Sequence, residues 1–106
     1  LRHCIEGNVV QGLSRALHEE VVFDRNMVTS TDWGTYLILD IADAPEEIDI
    51  VLIDRPELAP EGAGEASTGA IPAAVGNAFF DATGVRLRHA PLSPARVRAA
   101  LGVRTA

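Results

Sequence analysis

The sequence predicts an α+β fold: about three helices packed on a small, mainly antiparallel sheet. Three observations carry that expectation. Apolar residues recur at helical spacing in three places, each beside a capping or stop signal. The run Glu47 to Asp54 is apolar on both of its alternating faces, as a buried strand is. Val21-Val22-Phe23 leads into Arg25-Asn26, a pair suited to a tight turn. A length of 106 residues allows a single unit with a modest core.

The first helix is expected from about Asn8 to Glu19. Asn8 is placed to cap it, and Val9, Val10, Leu13, Ala16 and Leu17 follow at helical spacing. Gln11 falls on a different face from Val10 and Leu13. It is either a plain exposed residue or an amide that meets a polar ligand. Gly12 costs the helix about 1 kcal/mol against Ala, and a glycine there permits close approach to the backbone.

Val21 to Phe23 reads as a strand, with Met27 to Ser30 returning antiparallel after the turn. Trp33 and Tyr36 read as packing residues, and Leu37 to Leu39 as a short strand. Asp43-Ala44-Pro45 marks a turn. In the run Glu47 to Asp54, Ile48, Ile50 and Leu52 share one face and Val51 and Ile53 the other.

Arg55 to Gly69 is a long loop bearing glycine and proline. Pro72 then suits the first turn of a helix whose stripe is Ile71, Val75, Ala78, Phe79 and Ala82, with Gly84 closing it. Val85 to Arg88 reads as a further short strand. Ser93-Pro94 starts a third helix that Gly102 ends. Thr105-Ala106 is expected to fray.

Within the long loop lies Glu61-Gly62-Ala63-Gly64-Glu65-Ala66-Ser67. Gly62 and Gly64 remove two β-carbons, so the backbone there can lie against another surface or a ligand. Glu65 then presents a carboxylate where few of the chain's own side chains shield it. A carboxylate on a loop between rigid elements is either a solvated turn residue or a positioned base.

Composition removes several function classes. A net charge of -6 argues against a nucleic-acid partner, and all nine basic residues are arginine, so no P-loop lysine exists. Cys4 is the single cysteine, which excludes an internal disulfide and a cysteine-based zinc site. His3, His18 and His89 match no zinc spacing, and no metal ligand is assigned to the chain's side chains. There is no Gly-x-Ser-x-Gly elbow. Asp40, Asp43, Glu46 and Glu47 read as a solvated acidic rim. No apolar run is long enough to cross a bilayer. Leu1 is not an initiator methionine and opens at once on a half-apolar run, which reads as a piece of a longer polypeptide.

Taken in order, the motifs resemble a known family. Gly7-Asn8-Val9-Val10-Gln11-Gly12 with Glu19-Glu20 resembles the Gly-x-x-x-Gln-Gly-helix-Glu-Glu segment of molybdenum hydroxylases. So does the Gly-Ala-Gly-Glu loop at Gly62 to Glu65. The run Ile71 to Val85 resembles the helix after that loop, and Pro91-Leu92-Ser93-Pro94 its tail. The resemblance covers nearly the whole chain. It is to the C-terminal part of the molybdopterin-binding large subunit of the xanthine dehydrogenase and aldehyde oxidase family, in the isoquinoline 1-oxidoreductase β-subunit style. Ala66 stands where many relatives have proline, and Ser14 where a glycine is common.

The resemblance implies that residues 1–106 form one portion of a molybdopterin-binding domain. It implies that Glu65 is the catalytic base in the oxidative hydroxylation of an aldehyde or N-heterocycle. It implies that Gln11, Gly12, Gly62, Ala63 and Gly64 lie at a molybdopterin, including its dinucleotide form, that carries molybdenum in the full-length enzyme. The implied partners are the rest of the large subunit, an iron–sulfur subunit or domain, and a small-molecule substrate. The segment alone is expected to be inactive and able to self-associate. The competing expectation is a non-catalytic, stand-alone interaction module with the same fold.

Overall fold

The computed structural model describes residues 1–103, so the expected fraying of Thr105-Ala106 lies outside the described residues. Three helices form: α1 (Arg2–Leu17), α2 (Ile71–Thr83) and α3 (Pro94–Ala100). Short 3₁₀ turns stand at Ile41–Asp43 and Thr68–Ala70.

The second and third helices begin and end where the sequence punctuates them. Pro72 lies in the first turn of α2, where its missing N–H is not needed. Gly84 closes that helix at φ 70°, and its N–H donates to the Phe80 carbonyl at 2.7 Å. Ser93 caps α3, its Oγ accepting from the Arg96 N–H at 3.4 Å. Gly102, also at φ 70°, follows the end of α3.

α1 starts six residues before the expected cap. Asn8 is inside the helix, and the cap position is Leu1, with no side-chain hydrogen bond. Asn8 is 3% exposed, and its side chain bonds a distant part of the chain instead of its own helix.

The expected sheet does not form, and the α+β assignment is overturned. Among the described residues the β pairing is a single antiparallel bridge, Phe23 to Val28. The turn between them does form: Asp24 Oδ1 accepts from the N–H groups of Asn26 at 2.7 Å and Met27 at 2.9 Å. The flanking residues do not extend it into strands. Leu37 to Leu39, Glu47 to Asp54 and Val85 to Arg88 carry no strand either. Val51 and Ile53, expected to be buried, are 81% and 79% exposed. Alternating apolar residues report a demand for burial, but a ladder also needs a neighbouring backbone to pair with. No segment among the described residues supplies one to Glu47 to Asp54.

The packed centre is small. Ala16 is fully buried, and Gly12 lies against Ile71 at the start of α2. A β-carbon on Gly12 would sit 2.7 Å from the Ile71 β-carbon, so this glycine is what lets the two helices meet. The α3 region is tied to the end of α1 by the Leu92 N–H donating to the Ala16 carbonyl at 2.7 Å. Arg96 adds an ion pair with Glu20 at 2.6 Å. The remaining chain is spread out. The radius of gyration is 16.9 Å, against about 13 Å for a compact domain of this length.

Candidate functional site

The loop that carries Glu65 is held from below by α1. Asn8 Nδ2 donates to the Ala63 carbonyl at 3.1 Å. Asn8 Oδ1 accepts from the Thr68 hydroxyl at 3.1 Å. Thr68 is 7% exposed, and its backbone N–H donates to the Glu65 carbonyl at 3.1 Å. One buried carboxamide therefore grips the chain on both sides of Glu65, while the Glu65 side chain stays exposed.

Gly62 and Gly64 face open space: a β-carbon added to either would meet nothing within 4 Å. Their backbone is accessible for close approach. Ala63 between them is half-buried through the Asn8 bond. The Ser67 hydroxyl, two residues after Glu65, is shielded from solvent and has no hydrogen-bond partner. A buried hydroxyl without a partner is costly and marks a place where a polar group is wanted.

Gln11 and Gly12 divide in role. Gly12 faces Ile71 and is buried. Gln11, about 100° further round the helix, is exposed. It lines an open cleft of ≈ 370 Å³ with Arg15, Glu19, Trp33 and Tyr36. The Tyr36 hydroxyl donates to Glu19 Oε2 at 2.8 Å, and this bond to a carboxylate raises the phenol above its ordinary pKa. Glu65 does not line this cleft. The structure thus gathers Gly62, Ala63, Gly64 and Glu65 on one loop and sets Gln11 on a neighbouring face of the helix beneath it.

Among the described residues no three His, Cys, Asp or Glu side chains converge as a metal-binding group. The two open glycine backbones leave room for close approach of a polar organic cofactor at this loop, while the Gln11 amide faces a separate cleft.

Sequence reasoning missed three residues that build this arrangement. Asn8 reads in sequence as a helix cap. Thr68 carries no local signal. Ser14 stands out only as a departure from a family glycine, yet it is 5% exposed and its Oγ accepts from the Leu39 N–H at 3.0 Å. For Asn8 and Gly12 the available signal is their spacing of four, which puts both on one helix face.

No protein-family model matches the chain. A nicotinate dehydrogenase component of Pseudomonas putida is 46% identical over 102 residues, which cover 96% of this chain and 8% of that protein. A membrane-bound aldehyde dehydrogenase of Gluconacetobacter polyoxogenes, named for pyrroloquinoline quinone, is 44% identical over 87% of this chain and 12% of its own length. The molybdenum-binding component PaoC of an Escherichia coli aldehyde oxidoreductase is 30% identical over 87% of this chain. Among solved structures, quinoline 2-oxidoreductase of Pseudomonas putida 86 superposes with a TM-score of 0.78 at 26% identity. The match covers 98% of this chain and 14% of that one. The chain spans about a tenth of the length of the curated relatives it matches. With the isoquinoline 1-oxidoreductase β-subunit also among its relatives, the chain belongs to the family of molybdenum-containing aldehyde, quinoline and isoquinoline oxidoreductase subunits, of which it is a short segment.

Proposed function

We propose that this segment supplies the catalytic base, Glu65, to a molybdenum hydroxylase that oxidatively hydroxylates an aldehyde or an N-heterocycle. The observation that carries the reading is the loop geometry: an exposed carboxylate on a segment pinned by Asn8, beside two glycines that leave the backbone open. An ionised carboxylate can accept a proton from the attacking oxygen nucleophile, and a fixed loop keeps it within reach. On this chain alone Glu65 is open to water, so the rest of the large subunit must supply the cover that strengthens its action.

The implied cofactor is a molybdopterin, with its dinucleotide form the version to test for. When bound it supplies the oxygen-transfer and redox chemistry. The chain's own contribution is to bind and orient it. Gly62, Ala63 and Gly64 offer backbone, and Gln11 offers a side-chain amide able both to donate and to accept. Gly12 holds α1 against Ile71 and so fixes the helix that carries Gln11. The proposed partners are the remainder of the large subunit, which covers the exposed apolar side chains, and an iron–sulfur subunit or domain that removes electrons. The 46% identity to a nicotinate dehydrogenase component makes nicotinate the first N-heterocycle to try.

The test is Glu65→Gln in the full-length protein. Turnover is expected to fall by about 10²–10⁴-fold, the usual worth of a positioned base, with molybdenum content unchanged. Near-normal turnover removes Glu65 from the role. Metal analysis of the purified wild-type protein separates molybdenum from the quinone named for one relative.

One observation favours a second reading, a non-catalytic interaction module. Phe23, Trp33 and Ile41 are 73%, 78% and 88% exposed, as in a surface that binds other protein. That reading requires a full-length protein that carries neither cofactor nor activity.

A further inference from the structure

We propose that Asn8 is the positioning residue of this site: its carboxamide clamps the backbone on both sides of Glu65 and so sets where that carboxylate stands. The inference rests on the reading of Glu65 as the base, and it adds the residue that makes the loop a fixed mount.

The chain from Arg55 to Ser67 forms neither helix nor strand, and it contains two glycines and two prolines. Left to itself such a segment samples many conformations, and a carboxylate on it has no fixed place. Among the described residues, the long-range side-chain hydrogen bonds that hold the loop on either side of Glu65 are both made by Asn8. The bond to the Ala63 carbonyl spans 55 residues of sequence and the bond from Thr68 spans 60. Ala63 precedes Glu65 by two residues and Thr68 follows it by three. The Thr68 N–H then bonds the Glu65 carbonyl itself.

The chemistry of the two contacts fixes which way the amide faces. The Ala63 carbonyl only accepts, so it must meet the NH₂ group; the oxygen is left for the Thr68 hydroxyl, which donates. Among side chains of this size, only the carboxamide does both without having to take up a proton. Aspartate has the same shape and keeps the acceptor, but it sets a carboxylate oxygen against the Ala63 carbonyl. Alanine loses both side-chain bonds and leaves the Thr68 hydroxyl only the main-chain carbonyl of residue 8, at 3.5 Å. Asn8 is 3% exposed and its side-chain bonds go to Ala63 and Thr68, so its influence on the reaction runs through the loop that carries Glu65.

The experiment uses the full-length holoenzyme with nicotinate and benzaldehyde as substrates. It compares wild type, Asn8→Ala, Asn8→Asp, Thr68→Val, Thr68→Ser and Glu65→Gln. The readouts are kcat, KM, molybdenum content and hydrogen–deuterium exchange of peptides spanning 61–70. Asn8→Ala and Asn8→Asp are expected to lower kcat by up to about 10²-fold, the cost of a roughly 1 Å misplacement. KM and molybdenum content stay close to wild type, while exchange in 61–70 rises. Thr68→Val follows in the same direction, and Thr68→Ser, which keeps the hydroxyl, restores kcat and protection. If Glu65→Gln is impaired but the Asn8 variants keep wild-type kcat and exchange, the positioning role is overturned and the base role stands. If Asn8 variants lose kcat only in proportion to lost molybdenum, Asn8 serves general folding and the proposal is overturned. If Glu65→Gln turns over normally, the base reading falls and the positioning role with it.

Discussion

At the scale of single residues, the site depends on a few small or polar groups whose partners lie far away in sequence. Gly12 is the sharpest case. A β-carbon there would stand 2.7 Å from Ile71 Cβ and 2.8 Å from Cγ1, and the Cβ is fixed to the backbone and cannot swing aside. Gly12→Ala gains about 1 kcal/mol of helix propensity but forces α1 and α2 apart, an overpacking cost of about 1–3 kcal/mol. The full-length protein is expected to melt at a lower temperature. A melting temperature unchanged by Gly12→Ala would show that the helices can separate freely. The need for a glycine here is legible in the sequence, but the surface it approaches is not, because Ile71 is 59 positions away. Asn8 escapes a sequence reading for a related reason. Asparagine before an apolar helical run is a common cap, and nothing local distinguishes it from an asparagine whose partners, Ala63 and Thr68, arrive from elsewhere.

At the scale of elements, helices with local punctuation are readable and pairing is not. Pro72 and Gly84 bracket α2, and Ser93-Pro94 opens α3, because caps and stops act within a few residues. The run Glu47 to Asp54 shows a demand for burial, and such a pattern leaves open where its partner comes from. The tether between α3 and α1 carries a pH prediction. The Arg96 guanidinium bonded to Glu20 holds that carboxyl below its ordinary value of 4.5. A lowered carboxyl contributes to the docked state above its ordinary pKa, and the contribution is lost as pH falls through the lowered value. Below about pH 4.5, exchange at the Leu92 amide, corrected for its intrinsic rate, is expected to rise. Arg96→Met should remove that dependence. Both groups are partly exposed, so the effect is small and shrinks with added salt. An identical acid response in wild type and Arg96→Met would exclude the ion pair as its cause.

At the scale of the whole molecule, the chain exposes far more surface than a self-sufficient domain. Its accessible area is 8275 Å², roughly 2,500 Å² above the value for a compact monomer of this mass. That excess is of the size buried in obligate interfaces, and it includes Phe23, Trp33, Ile41, Val51 and Ile53. Expressed alone, residues 1–106 are expected to self-associate and to bind a hydrophobic dye, as read by analytical ultracentrifugation and fluorescence. The full-length protein should do neither through these residues. A stable, dye-free monomer of the segment would contradict the view that its apolar surface is built for other parts of a larger protein. The alternating apolar pattern in Glu47 to Asp54 points to a sheet that does not form, and its Val51 and Ile53 stand within that exposed surface. The most direct test of the account is a crystal structure of the full-length, cofactor-loaded protein, read at one distance. The Glu65 carboxylate is expected within about 4 Å of the molybdenum centre's ligands, covered from bulk water, with Asn8 still bonded to Ala63 and Thr68. A Glu65 side chain directed into open solvent, or a cofactor bound elsewhere, would contradict it.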